Sequence, residues 1–213
     1  MSTPPTHTTQ DTHGTPSSHA APAPMLGSLG VDSRKLGVWA FIGSETLFFA
    51  ALITIYLIMA PVNMARSDAQ DPKEFLDIAF TSLLAAILLA SSLTMVLALA
   101  ANKRGDTRQF RIWHLATVIL GFCFLGGQVY EFNKLLHEGV TLSSSLFGTS
   151  FFVLTGFHGT HVAIGAIWLL STFFKVTKYP DSPENAMDIE LAGLYWHFVD
   201  LVWVAIFTLI YLI

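Results

Sequence analysis

Residues 78–101 read IAFTSLLAAILLASSLTMVLALAA, twenty-four positions without a charge. As a helix rising 1.5 Å per residue, this stretch is about 36 Å long. The hydrocarbon layer of a bilayer is roughly 30 Å thick. No water reaches the backbone there, so the stretch must bond its own N–H and C=O groups, and a helix does this. Four more apolar stretches, at 36–60, 112–136, 148–174 and 191–212, satisfy the same length condition.

The composition of the whole chain agrees. Of its 213 residues 53% are hydrophobic and 12% charged, and the mean hydropathy is +0.56. Soluble domains carry about 25% charged residues. The predicted fold is an all-α integral membrane bundle of five transmembrane helices spanning 31–213. The apolar runs are too long and continuous for the strands of a membrane barrel. No internal repeat is visible, which removes support for an inverted-repeat transporter. A net charge of −4 without a basic patch excludes a nucleic-acid partner.

Residues 1–30 are rich in Thr, Pro, Ser, Ala and His. They read as a disordered polar tail, because they hold too little apolar surface to offset the entropy of folding. No basic region leads into an apolar one, so a secretory signal is not expected. Lys and Arg set the predicted orientation. Eight lie before the first span, between the second and third, and between the fourth and fifth, while three lie on the other side. The positive-inside rule then places the N-terminus in the cytoplasm and the C-terminus outside.

A charge at mid-bilayer costs roughly 2.5–3.5 kcal/mol on insertion scales. The few polar residues inside the spans therefore need partners. Glu45 lies nine residues into the first predicted span, about 14 Å deep. No basic residue accompanies it there, so it is either protonated or paired with another helix. It reads as a proton or lipid-headgroup site, or as an interhelical hydrogen bond. Gln128 and Glu131 lie three apart on the third span and share a face, as a clamp onto a neighbour requires. His158 and His161, in GFHGTHVAIG, are also three apart. A metal site would need further ligands. The alternative is polar glue on a face kept close-packed by Gly156, Gly159 and Gly165. His197 and Asp200 in YWHFVDLVW are flanked by Trp196 and Trp203. Asp200 is positioned to hold a ring N–H of His197, or to meet a histidine of the fourth span, as a structural network or a proton relay. Cys123, the only cysteine, reads as a buried structural thiol. No Glu-x-x-His, His-Glu-x-x-His, phosphate-binding glycine loop or Cys-x-x-Cys-His occurs, so no redox centre or metal is expected in this chain.

The same residues sit in longer strings. GSETLFF at 43–49, GQVYEF at 127–132, FFVLTGFHGTHVAIGAIWL at 151–169 and ELAGLYWHFVDLVWVAIFTLIYL at 190–212 resemble subunit III of the haem–copper oxidases, over about 180 residues and in the family's order. The resemblance implies a non-catalytic subunit in the bacterial plasma membrane. Haem and copper belong to the partner subunits, and the main contact is to the proton-pumping subunit I. Subunit II, other oxidase subunits and a larger respiratory assembly are further partners it implies. It also implies bound phospholipid and support of proton uptake or oxygen access. By the same resemblance Glu45 matches the family's buried carboxylate near a lipid cleft. His158, His161, Glu190, His197 and Asp200 match its helix-end and bundle-core positions. Longer members have seven helices, and this chain has no counterpart of the first two, which form one wall of that cleft. Ser44–Glu45, Phe157–His158 and Tyr195–Trp196–His197 lean toward the cytochrome c oxidases and away from quinol-oxidase relatives. A quinol oxidase subunit, an accessory membrane protein of nitric oxide reduction and an independent transporter are the competing assignments.

Overall fold

A computed structural model describes residues 32–65, 77–143, 145–180 and 182–212. The tail at 1–30, with His7, His13 and His19, lies outside them, as do Arg66 and Lys73 of the first connection. Among the described residues the chain forms five long helices: α1 (Ser33–Met64), α2 (Ile78–Lys103), α3 (Thr107–His137), α4 (Leu146–Lys178) and α5 (Asn185–Phe207). A π-helical turn, Thr208–Leu212, extends α5. All five are long and apolar enough to cross a membrane.

The helices outrun the predicted spans at most ends, because polar residues that leave the hydrocarbon still extend helices. α1 continues through Pro61 to Met64. α3 starts at Thr107, so TRQFR, which precedes the predicted span, is its first turn. α4 runs on to Lys178 and α5 starts at Asn185. Side chains cap three of the starts. Asp77 accepts from Phe80 N, Asp106 from Gln109 N and Ser145 from Gly148 N, each at 3.0 Å, satisfying amides that have no partner inside the helix. Gly105 and Gly139 end α2 and α3 at φ of 74° and 85°, a conformation that costs glycine little. Asn185 Nδ2 donates to Tyr179 O at 2.7 Å and fixes the turn between α4 and α5.

α2 packs on α3, α3 on α4, and α4 on α1, while α5 lies against α2, α4 and α1. α5 is thus the central helix. Of its most apolar window 56% is buried, against 11% for α1. One residue of α5 holds this arrangement. The Trp196 indole is fully buried and donates from Nε1 to Ser91 Oγ of α2 at 2.9 Å. A Cβ on Gly121 of α3 would meet its ring at 2.7 Å, and one on Gly165 of α4 at 3.0 Å. Small residues at these positions let the helices close around the ring.

Cys123, expected inside, is exposed on α3. Phe124 beside it takes the buried position. On an apolar helix hydropathy does not tell the inner from the outer face, because lipid tails are as apolar as a core.

Gly121→Ala should destabilise the chain by about 1–3 kcal/mol, the usual cost of overpacking. Gly126→Ala, where a Cβ meets nothing within 4 Å, should be nearly neutral. Unfolding midpoints in mixed detergent micelles compare the two, and equal midpoints would remove Trp196 from its central role.

Candidate functional site

The in-membrane polar residues are grouped by the fold into three layers. At the helix ends near the start of α1, six charged side chains form two sets of ion pairs. Lys35 of α1 pairs with Glu190 of α5. Arg34 lies 3.6 Å from Glu184 and 3.8 Å from Asp188, and Lys175 of α4 bonds Asp188 and Glu184. These pairs are partly exposed, so each contributes little alone. Together they tie α1 and α4 to the start of α5.

The second layer lies deeper. Glu45 is the thirteenth residue of α1, about 18 Å along it. Its Oε2 is 3.2 Å from His161 Nε2 of α4. His161 Nδ1 is 2.7 Å from Phe157 O. A carbonyl only accepts, so Nδ1 carries a hydrogen. That leaves Nε2 to face the Glu45 carboxyl across the helix boundary. Phe49 packs its ring 5.0 Å from His161, and Tyr195 OH donates to His161 O at 3.1 Å. Ser44, Glu45, Phe48, Phe157 and His161 line an open cavity of about 470 Å³.

His158 and His161 do not act together. His158 points inward, fully buried. Its Nε2 donates to Val199 O of α5 at 3.3 Å, and its ring stacks on Trp203 at 4.9 Å. Two histidines three apart on a helix differ by about 60° around the axis, enough here to send one to α5 and the other to α1. The glycines differ too. Gly159 lies against the Gln128 amide and Gly165 against Trp196, but Gly156 faces open space.

His197 and Asp200 do not bond each other. His197 Nδ1 is 2.6 Å from Ser92 Oγ of α2. Asp200 is buried, and among the described residues neither of its carboxyl oxygens has a hydrogen-bond partner. Ser92 lies near enough to act on that carboxyl, but its hydroxyl hydrogen bond runs to the imidazole.

The third layer lies toward the other end of the bundle. Gln128 Nε2 donates to Thr155 O of α4 at 2.9 Å. Glu131 Oε1 accepts from Thr81 Oγ1 of α2 at 2.7 Å and from Tyr211 OH, beyond α5, at 3.0 Å. One face of α3 thus binds α4, α2 and the π-helical turn. Among the described residues no three His, Cys, Asp or Glu side chains converge as a metal site would need.

Several members of these layers carry no signal in the sequence. Lys35 and Tyr211 stand near span ends, where polar residues are ordinary. Thr81, Ser91 and Ser92 sit in a run made mostly of aliphatics. His114 of α3, fully buried and 2.9 Å from Leu169 O of α4, belongs to no motif. Lone histidines give no periodic pattern.

A family model, "Cytochrome c oxidase subunit III", matches residues 28–213. The chain belongs to that family. It is similar to "Cytochrome c oxidase subunit 3" of Bacillus sp. (strain PS3), 39% identical over 84% of this chain and 86% of the relative. The relative of the same name in Bacillus subtilis (strain 168) is 39% identical, with the same coverage of each chain. "Quinol oxidase subunit 3" of Bacillus subtilis (strain 168) is 36% identical over 83% of this chain and 85% of that one. The chain is thus a subunit III of a bacterial haem–copper oxidase, a multi-pass protein of the plasma membrane with other oxidase subunits as its partners.

Glu131→Leu should cost about 1–3 kcal/mol, because it leaves the buried Tyr211 hydroxyl without its acceptor and removes the bond to Thr81. Tyr211→Phe removes one interhelical bond and should cost about 0.6–1.7 kcal/mol. Reversible unfolding in detergent measures both. A Glu131→Leu chain as stable as the unaltered one would mean that the carboxylate clamps nothing.

Proposed function

We propose that this subunit III is non-catalytic: it stabilises the proton-pumping subunit I, holds phospholipid against it and supports proton uptake or oxygen access. The observation that supports this is the use made of polar side chains within the bilayer. Glu45, Gln128, Glu131, His114, His158, His161 and His197 each bond another residue of the chain, most across a helix–helix boundary. Each spends at least one polar atom on packing, and among the described residues no three His, Cys, Asp or Glu side chains converge to hold a metal. Haem and copper then belong to the partner subunits.

The Glu45–His161 pair is the candidate lipid or proton site. It borders an open cavity and sets an imidazole against a carboxyl, so it can pass a proton or meet a headgroup without breaking the bundle. His158 is closed in behind it, and Glu190 stands at the helix ends. A partner subunit would supply the wall missing from the lipid cleft. The N-terminus faces the cytoplasm on this reading, as the distribution of Lys and Arg requires. Cytochrome c is the donor to the complex favoured by the strings around Glu45, His158 and His197. Quinol is the alternative, since relatives of both names match at similar identity.

Purification in mild detergent tests the assignment. The subunit should co-purify with a haem-bearing subunit I, and the isolated chain should show no visible haem absorbance. Stoichiometric haem in the isolated chain would overturn it. Glu45→Gln should leave the complex assembled while altering turnover-dependent proton uptake or lipid retention. Loss of assembly in that variant would give Glu45 a structural role.

A further inference from the structure

α5 is covered by its neighbours except between α1 and α2, which share no substantial packing. A cavity of about 250 Å³ opens there, apart from the Glu45–His161 cavity on the α4 side of α1. Its mouth is the Lys35–Glu190 pair, with Trp39 beside it. Trp39 is 53% exposed, and a tryptophan near a span end sits at headgroup level. Lys35 is the third residue of α1 and Glu190 the sixth of α5, so both lie within about 8 Å of their helix starts. Below the mouth the wall is apolar, from Met95 and Leu99 of α2 and Leu194 of α5. His197 closes the far end, about 10 Å further along α5 than Glu190. The cavity therefore has the polarity profile of half a bilayer: charged at the interface, apolar beneath.

The charges at the mouth select the occupant. Lys35 and Glu190 form one pair, and Arg34, Lys175, Glu184 and Asp188 form a second group at the same helix ends, three cations and three anions in all. An anionic headgroup meets no net attraction there. A zwitterionic headgroup does better, because Lys35 and Glu190 set opposite charges side by side. Its phosphate meets the Lys35 ammonium, and its own ammonium meets the Glu190 carboxylate. A primary ammonium also donates charge-assisted hydrogen bonds to Glu190, which a quaternary one cannot. The geometry points to a resident phospholipid of the ethanolamine class, its headgroup inserted at Lys35–Glu190 and one acyl chain lying on α5 between α1 and α2. This rests on the reading of the chain as a lipid-holding subunit and adds a second, headgroup-selective site.

The test uses the whole complex, stripped of lipid in detergent, then given phosphatidylethanolamine, phosphatidylcholine or phosphatidylglycerol and weighed by native mass spectrometry. One tightly retained phosphatidylethanolamine per complex is expected, with phosphatidylcholine and phosphatidylglycerol washing off. Glu190→Gln should lower its retention about tenfold, as expected for a lost charge-assisted hydrogen bond. Leu194→Trp, which fills the shaft and leaves the ion pair in place, should also expel it. Retention blind to headgroup, retention stronger for phosphatidylglycerol, or retention untouched by both substitutions would overturn the site. So would an intact complex that keeps no phosphatidylethanolamine because a partner subunit covers the gap. A chain that co-purifies with no oxidase subunit would instead overturn the parent reading.

Discussion

The Trp196 indole meets all three helices that carry the α2–α3–α4 arc. It bonds Ser91 of α2, lies on Gly121 of α3 and presses against Gly165 of α4. In a bilayer no hydrophobic force drives helices together, since lipid tails are as apolar as leucine. Association depends on shape and on polar groups that have no other partner. A large flat ring with one donor, received by two glycines and a hydroxyl, meets both needs at one point. α5 becomes the axis of the bundle, and the remaining polar contacts take their geometry from its position.

Those contacts divide by depth. The ion pairs at the start of α1 are partly exposed and individually weak. The Glu45–His161 pair lies about 18 Å along α1, where a lone carboxylate would be costly. The Glu131 clamp ties the far ends of α2, α3 and α5. α1 depends on this scheme more than any other helix, because so little of it is buried. Glu45, Lys35 and the Phe49 ring hold it to α4 and α5, and its remaining surface is left for lipid or a partner subunit.

Much of this is legible in the order of residues alone. The five spans follow from runs of apolar residues, and the motif strings around Glu45, His158 and His197 name the family. The pairings are not legible in that way. His158 and His161 lie in one string yet face different helices. Asp200 sits three residues from His197 and still does not bond it, while the His197 ring meets Ser92 of α2. Cys123 lies outside and its neighbour Phe124 inside, a difference that hydropathy cannot register when both surroundings are apolar.

The amino-acid sequence by itself determined that this chain crosses a membrane five times and which family it belongs to, because span length and motif order are properties of contiguous residues. Only the tertiary structure decided which polar groups meet. Glu45 and His161 are 116 positions apart and Lys35 and Glu190 155. Such contacts depend on how each helix is rotated about its axis, and in a bilayer that rotation is set by packing around Trp196 and not by the separation of polar from apolar faces.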